Sequence, residues 1–114
     1  MDRVNEHDIA FRGGVSGVKY LFRGPQIDWG IIVFNPGERL GRHFHERVEE
    51  TFYFVEGRGG KIIVDGREYD IRIGDAFRLS PSEKHDIVND TNVPLKAVFI
   101  KSTYDPKDKV DVGE

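Results

Sequence analysis

Pro36-Gly37-Glu38-Arg39-Leu40-Gly41-Arg42-His43-Phe44-His45-Glu46-Arg47-Val48-Glu49-Glu50-Thr51-Phe52-Tyr53-Phe54-Val55-Glu56-Gly57 is the stretch on which the fold turns. Successive side chains of a β-strand point to opposite faces. His43 and His45, two apart, therefore point the same way on an extended chain. A strand beginning near Glu50 puts Glu50, Phe52 and Phe54 on one face, where the carboxylate can sit opposite the two imidazoles. Downstream, Ser80-Pro81-Ser82-Glu83-Lys84-His85-Asp86-Ile87-Val88-Asn89 brings a third histidine, and His85, Ile87 and Asn89 share a face by the same rule. Three neutral imidazoles and one carboxylate suit a borderline divalent ion: Mn, Fe, Co, Ni, Cu or Zn. The spacing equally fits surface histidines on a polar loop, because His-x-His is a common short pattern. The residues alone leave both readings open.

Outward from this stretch the apolar pattern stays short and alternating. Strands are expected over 17–22, 29–34, 50–55, 61–64, 69–73, 76–79, 85–88 and 95–101. These segments are rich in β-branched and aromatic residues and are bounded by Gly, Pro, Asn or Asp. Asp65-Gly66, between Val64 and Arg67, predicts a tight type I′ hairpin, whose two central residues both need positive φ. No stretch carries a sustained 3.6-residue apolar period, so any helix is expected to be short. Many short strands at regular spacing predict an all-β sandwich or barrel.

A chain of 114 residues suits one domain, here 1–114, with polar segments at both ends, Met1 to Asp8 and Asp105 to Glu114. The stretch Asp105 to Asp111 reads most simply as a solvated tail. A formal net charge of −3 with no Lys/Arg run argues against nucleic acid as a partner. No apolar run approaches the roughly 20 residues that cross a bilayer. Met1 to Glu6 has no apolar leader, so a cytoplasmic location is the expectation. Cysteine is absent, which excludes disulfides and thiolate ligands. It also removes one class of nucleophile, and no nucleophile motif of another kind is present.

The two histidine segments resemble the motifs of the cupin superfamily. Gly37, His43, His45, Glu50 and Gly57 stand in the order and spacing of its first motif. Gly74, His85 and Asn89 stand in those of its second, while Ser80 and Ser82 replace the usual proline and glycine there. Sixteen residues separate Gly57 from Gly74, a short region holding the Asp65-Gly66 hairpin. The resemblance implies a double-stranded β-helix, or jelly-roll barrel. It implies that His43, His45, Glu50 and His85 ligate one divalent metal ion. Glu50 is preferred to Glu49 because it alone has the six-residue gap to Gly57 and falls in phase with Phe52 and Phe54.

The resemblance covers many activities. It implies a metal-dependent enzyme of dioxygenase, decarboxylase or isomerase type acting on a small polar molecule, or a non-catalytic module binding such a molecule or the metal. A homodimer is expected, with the stretch Ile9 to Phe22 as an exposed edge. Phe52, Phe54, Phe77, Phe99, Trp29 and Ile87 are the residues that can line the barrel, most of them as ordinary core. Arg39 and Arg42 read as rim residues, Tyr20 and Tyr53 as structural ones, Asn89 as a turn or strand-end residue, and His7 as exposed.

Overall fold

Alternating apolar residues give an extended chain one face that must leave water. In the computed structural model, which describes residues 1–113, this produces ten strands. They are β1 (Gly17–Arg23), β2 (Ile27–Phe34), β3 (His43–Phe44), β4 (Glu49–Glu56), β5 (Gly60–Val64), β6 (Arg67–Ile71), β7 (Ala76–Leu79), β8 (His85–Val88), β9 (Leu95–Ser102) and β10 (Val110–Asp111). Among the described residues the only helix is a 3-10 turn over Glu6–Asp8.

The strands form two antiparallel sheets in the orders β1-β2-β9-β4-β7 and β10-β3-β8-β5-β6. From β2 onward the chain crosses repeatedly between sheets, and only β5 and β6 follow one another in the same sheet. This is the double-stranded β-helix expected from the sequence. The buried faces meet over Ile32, Phe34, Phe52, Phe54, Ile62, Ile71, Leu79, Ile87, Leu95, Ala97 and Phe99. Each of these side chains except Ala97 contributes about 1.5–3 kcal/mol when fully withdrawn from water.

Register sorts the inner face of the first sheet into rows. One row runs Arg23, Asp28, Lys101, Glu50, Leu79, and the next runs Tyr20, Gly30, Phe99, Phe52, Phe77. A third holds Val18, Ile32, Ala97 and Phe54. Polarity therefore falls from the first row to the third. Gly30 is required in the middle row: a Cβ there would lie 2.0 Å from the Lys19 carbonyl oxygen, a backbone atom that cannot swing aside. Its absence lets β1 close in and seats the Tyr20 ring edge-on against Phe99, centroids 5.1 Å apart.

The Asp65-Gly66 hairpin forms as the sequence predicts, with φ of 48° and 84° at its two central residues. Asp65 does more than turn the chain. Its backbone amide donates to the Lys84 carbonyl and its carboxylate accepts from the Lys84 amide, which fixes the residue before His85.

Two expectations need correcting. Trp29 does not line the barrel. It alternates with the inward Asp28 and Gly30, so it faces outward and packs against Phe22 at 6.0 Å. Asp105 to Asp111 is not simply a solvated tail, because Val110 and Asp111 pair with Phe44 and His43, and Asp108 is only 6% exposed. The N-terminal segment is also tied down: the buried Lys19 ammonium donates to the Glu6 carbonyl and pairs with its carboxylate, as does Lys96. No helix among the described residues is long and apolar enough to cross a membrane.

Candidate metal centre

His43 and His85 are register partners across β3 and β8, with ring centroids 4.4 Å apart. His45 follows β3 on the same face. From the opposing sheet β4 projects Glu50 between them. The structure thus brings together all four residues singled out from sequence, and all are buried. Glu50, not Glu49, turns inward. Its Oε1 lies 3.1 Å from Nε2 of His45, 3.2 Å from Nε2 of His85 and 3.9 Å from Nε2 of His43.

The remaining ring nitrogens decide the chemistry. His43 Nδ1 faces the Gly41 carbonyl at 2.8 Å, His45 Nδ1 the Asp108 carbonyl at 2.6 Å, and His85 Nδ1 the Glu83 carbonyl at 3.0 Å. A carbonyl only accepts, so each Nδ1 carries the proton. In the neutral rings each Nε2 then presents a lone pair towards the Glu50 carboxylate. Four buried electron-pair donors, all within 4.8 Å of one another, repel unless a cation lies among them. This donor set fits a borderline divalent ion, and the Nδ1 bonds fix ring tautomer and orientation as metal-ligating histidines require.

Burial pushes the Glu50 carboxyl up, but in the metal-free chain His43, His45 and His85, when their Nε2 atoms are protonated as well, hydrogen-bond the carboxylate and, with the nearby Lys101 charge, outweigh it. The carboxyl is held well below the ordinary carboxylate range, ready to ligate.

Sequence reading missed Asp108. Its carboxylate accepts the amides of Glu46 at 3.0 Å, Arg47 at 2.7 Å and Val48 at 2.8 Å, shaping the turn between His45 and Glu50. Its own carbonyl holds His45. Burial raises the Asp108 carboxyl, yet these three amide donors together hold it below the usual range. The only local hint was the alternation of Val110 and Val112 with charged residues. The departures in the second motif are accommodated: Ser82 takes the left-handed backbone (φ 77°) and donates its amide to the His45 carbonyl. That conformation costs a non-glycine residue about 1–2 kcal/mol. Asn89 is a strand-end organiser, fully buried, donating to the carbonyls of Phe34 and Val93. Arg39 is tied to the buried Asp86, whose other oxygen accepts the Gly41 amide.

A sequence model of the cupin domain family matches residues 30–101, which contain the whole cluster. The chain belongs to the cupin family. An uncharacterized protein from Methanocaldococcus jannaschii is 30% identical over 76 residues, covering 67% of this chain and 60% of that protein. The polyketide synthase protein CurC of Streptomyces cyaneus is 31% identical over 78 residues, covering 68% of this chain and 50% of its own length. This cupin therefore spans only 50–60% of the length of the curated relatives it matches. A Klebsiella pneumoniae protein with a double-stranded β-helix domain superposes over 100% of both chains, with a TM-score of 0.83 at 14% identity. At that identity the likeness speaks for the fold alone.

Proposed function

We propose that this cupin is a divalent-metal-dependent enzyme acting on a small polar molecule, of the dioxygenase, decarboxylase or isomerase type. One observation carries the reading. His43 and Glu50 line a cavity of ≈ 90 Å³, so the donor cluster opens on one side into space walled by Tyr20, Leu40, Phe52 and Phe99. Four protein ligands close off a tetrahedral ion, whereas an octahedral one held by the same four keeps two positions, and the cavity gives them room.

A divalent ion bound here supplies Lewis acidity or, if redox-active, electron transfer. The chain's own residues do the rest. The carbonyls of Gly41, Glu83 and Asp108 keep the three Nε2 atoms unprotonated and aimed inward. Phe52 and Phe99 exclude water from one wall, which strengthens electrostatic interactions inside.

Protein purified without a histidine tag is expected to hold one ion per chain, and its Mn, Fe, Co, Ni, Cu and Zn forms are to be screened for turnover of small polar molecules. Turnover by one form and not by the metal-free chain supports the reading. Saturable binding with no chemical change in the ligand assigns a binding module instead.

Pairing of two copies belongs to the same proposal. Supporting it, β1 is an edge strand, and Ile27, Tyr53 and Ile100 stand exposed on the outer face of the first sheet. Light scattering at micromolar concentration is expected to give the dimer mass; a monomer overturns this part.

A further inference from the structure

We propose that the cavity beside the donor cluster selects a small organic anion, a short-chain carboxylate, and that Lys101 and Tyr20 recognise it. The proposal rests on the metal-dependent reading above and names the substrate class of that site.

The charges on the inner row of the first sheet point to it. Arg23 is neutralised by Asp28, their Nη2 and Oδ2 atoms 3.1 Å apart. Glu50 is committed to three imidazoles. Lys101, the register partner of Glu50 and next to it in the row, is left over. Its ammonium donates to the Tyr20 hydroxyl at 2.9 Å and lies 5.3 Å from the Tyr20 ring centroid and 5.6 Å from that of Phe99. Among the described residues no carboxylate forms an ion pair with Lys101 or with Arg12, whose guanidinium sits 5.9 Å from the Tyr20 ring centroid.

Lys101, Arg12 and Lys109 all line the cavity, Lys109 paired with Asp111 at 3.4 Å, and Glu50 is the only carboxylate in the lining. The opposite charge next to Lys101 is Glu50, which a bound metal ion claims, and aromatic faces offset only part of the cost of a half-buried ammonium. A divalent ion held by neutral imidazoles and one carboxylate keeps net positive charge, so the deficit is of anions.

Hydrogen-bond capacity says the same. Lys101 spends one N–H on Tyr20 and keeps two, Tyr20 accepts there and keeps its O–H to donate, and Arg12 has only donors. A wall of donors matches a ligand made of acceptors, which a carboxylate is and an amide or alcohol is less. Size narrows the class. Beside an engineered cavity of about 150 Å³ that takes up benzene, ≈ 90 Å³ is room for a few heavy atoms. Its apolar wall of Val18, Ile32, Leu40, Phe52 and Phe99 suits a short carbon chain on that carboxylate.

The test uses the whole chain loaded with Co(II), whose visible spectrum reports on its surroundings. Co(II) stoichiometry is measured first, then titrations with propionate and with its neutral isostere propionamide. One Co(II) per chain is expected, with saturable propionate binding and propionamide weaker by about tenfold or more, the loss of a charged hydrogen bond. Lys101→Met is expected to weaken propionate about ten- to hundredfold at unchanged Co(II) stoichiometry, with Lys101→Arg restoring most of the affinity. Tyr20→Phe, which keeps the ring, is expected to cost less, roughly three- to tenfold. Equal affinity for the two probes, or propionate binding unchanged in Lys101→Met, overturns the proposal and leaves the metal reading standing. Failure of the wild-type chain to take up Co(II) overturns the metal reading itself, and the anion proposal with it.

Discussion

Glu50→Gln is expected to lose the metal. The substitution keeps the shape of the side chain and removes the one negative charge in a cluster whose other three donors are neutral. Disturbing an outer partner of a ligand already weakens metal affinity about 10–100-fold, so losing a direct anionic donor is expected to cost at least about a hundredfold. The readout is double. Metal per chain, measured by mass spectrometry after gel filtration, falls from one towards zero. Added metal at a hundred times its Kd stabilises the wild type by about 2.7 kcal/mol. That corresponds to a rise in Tm of roughly 10 °C or more for a chain of this size, and the variant is expected to show almost none of it. Metal retained by Glu50→Gln at wild-type affinity would mean that the carboxylate is not a ligand.

Asp108→Ala is expected to damage stability and site together. Its carboxylate takes three consecutive amides, and its carbonyl orients His45. Val48, the innermost of the three, is buried, so its amide has no water to turn to. Losing these acceptors is expected to cost about 2–5 kcal/mol, since an orphaned donor costs about 1–3 kcal/mol. The corresponding fall in Tm is roughly 8 °C or more. Metal affinity is expected to drop about 10–100-fold as the turn carrying His45 loosens.

The acid side of the stability curve tests the same contact. The Asp108 carboxyl is held below its ordinary value of 3.8, so the ionised form is the one that folding favours. Its contribution is therefore complete above that value and disappears as pH falls through the lower folded-state pKa. Asp108→Asn, which keeps one carbonyl oxygen for the amides, is expected to flatten the acid limb of the metal-free protein's denaturation curve. An unchanged acid limb, with unchanged metal affinity in Asp108→Ala, would reduce the residue to a surface contact.

The parts of the molecule legible in sequence are those governed by local alternation. Glu50, Phe52 and Phe54 share a face because strand side chains alternate, and the same rule places His43 with His45 and His85 with Ile87. The Asp65-Gly66 turn was legible because few residue pairs tolerate two positive φ angles. Lys101 could have been placed as well. It falls in phase with Leu95, Ala97 and Phe99, so a strand over 95–101 already points it inward.

What stayed hidden depends on contacts distant along the chain. Asp108 lies sixty residues beyond Val48, and nothing in its own neighbourhood reveals that three amides await it. Two-residue strands such as β3 and β10 are too short for periodicity to register, and they exist because His43 and Phe44 have partners elsewhere. Trp29 misled because a large aromatic suggests core. Register with Asp28 and Gly30 overrules size and sends it outward.

Anomalous diffraction from crystals of tag-free protein grown with Mn(II) or Co(II), collected at the metal's absorption edge, tests the centre most directly. A single strong peak per chain is expected, within coordination distance of Nε2 of His43, His45 and His85 and of a carboxylate oxygen of Glu50. A peak outside this cluster, or none within it at saturating metal, would contradict the assignment of these four ligands.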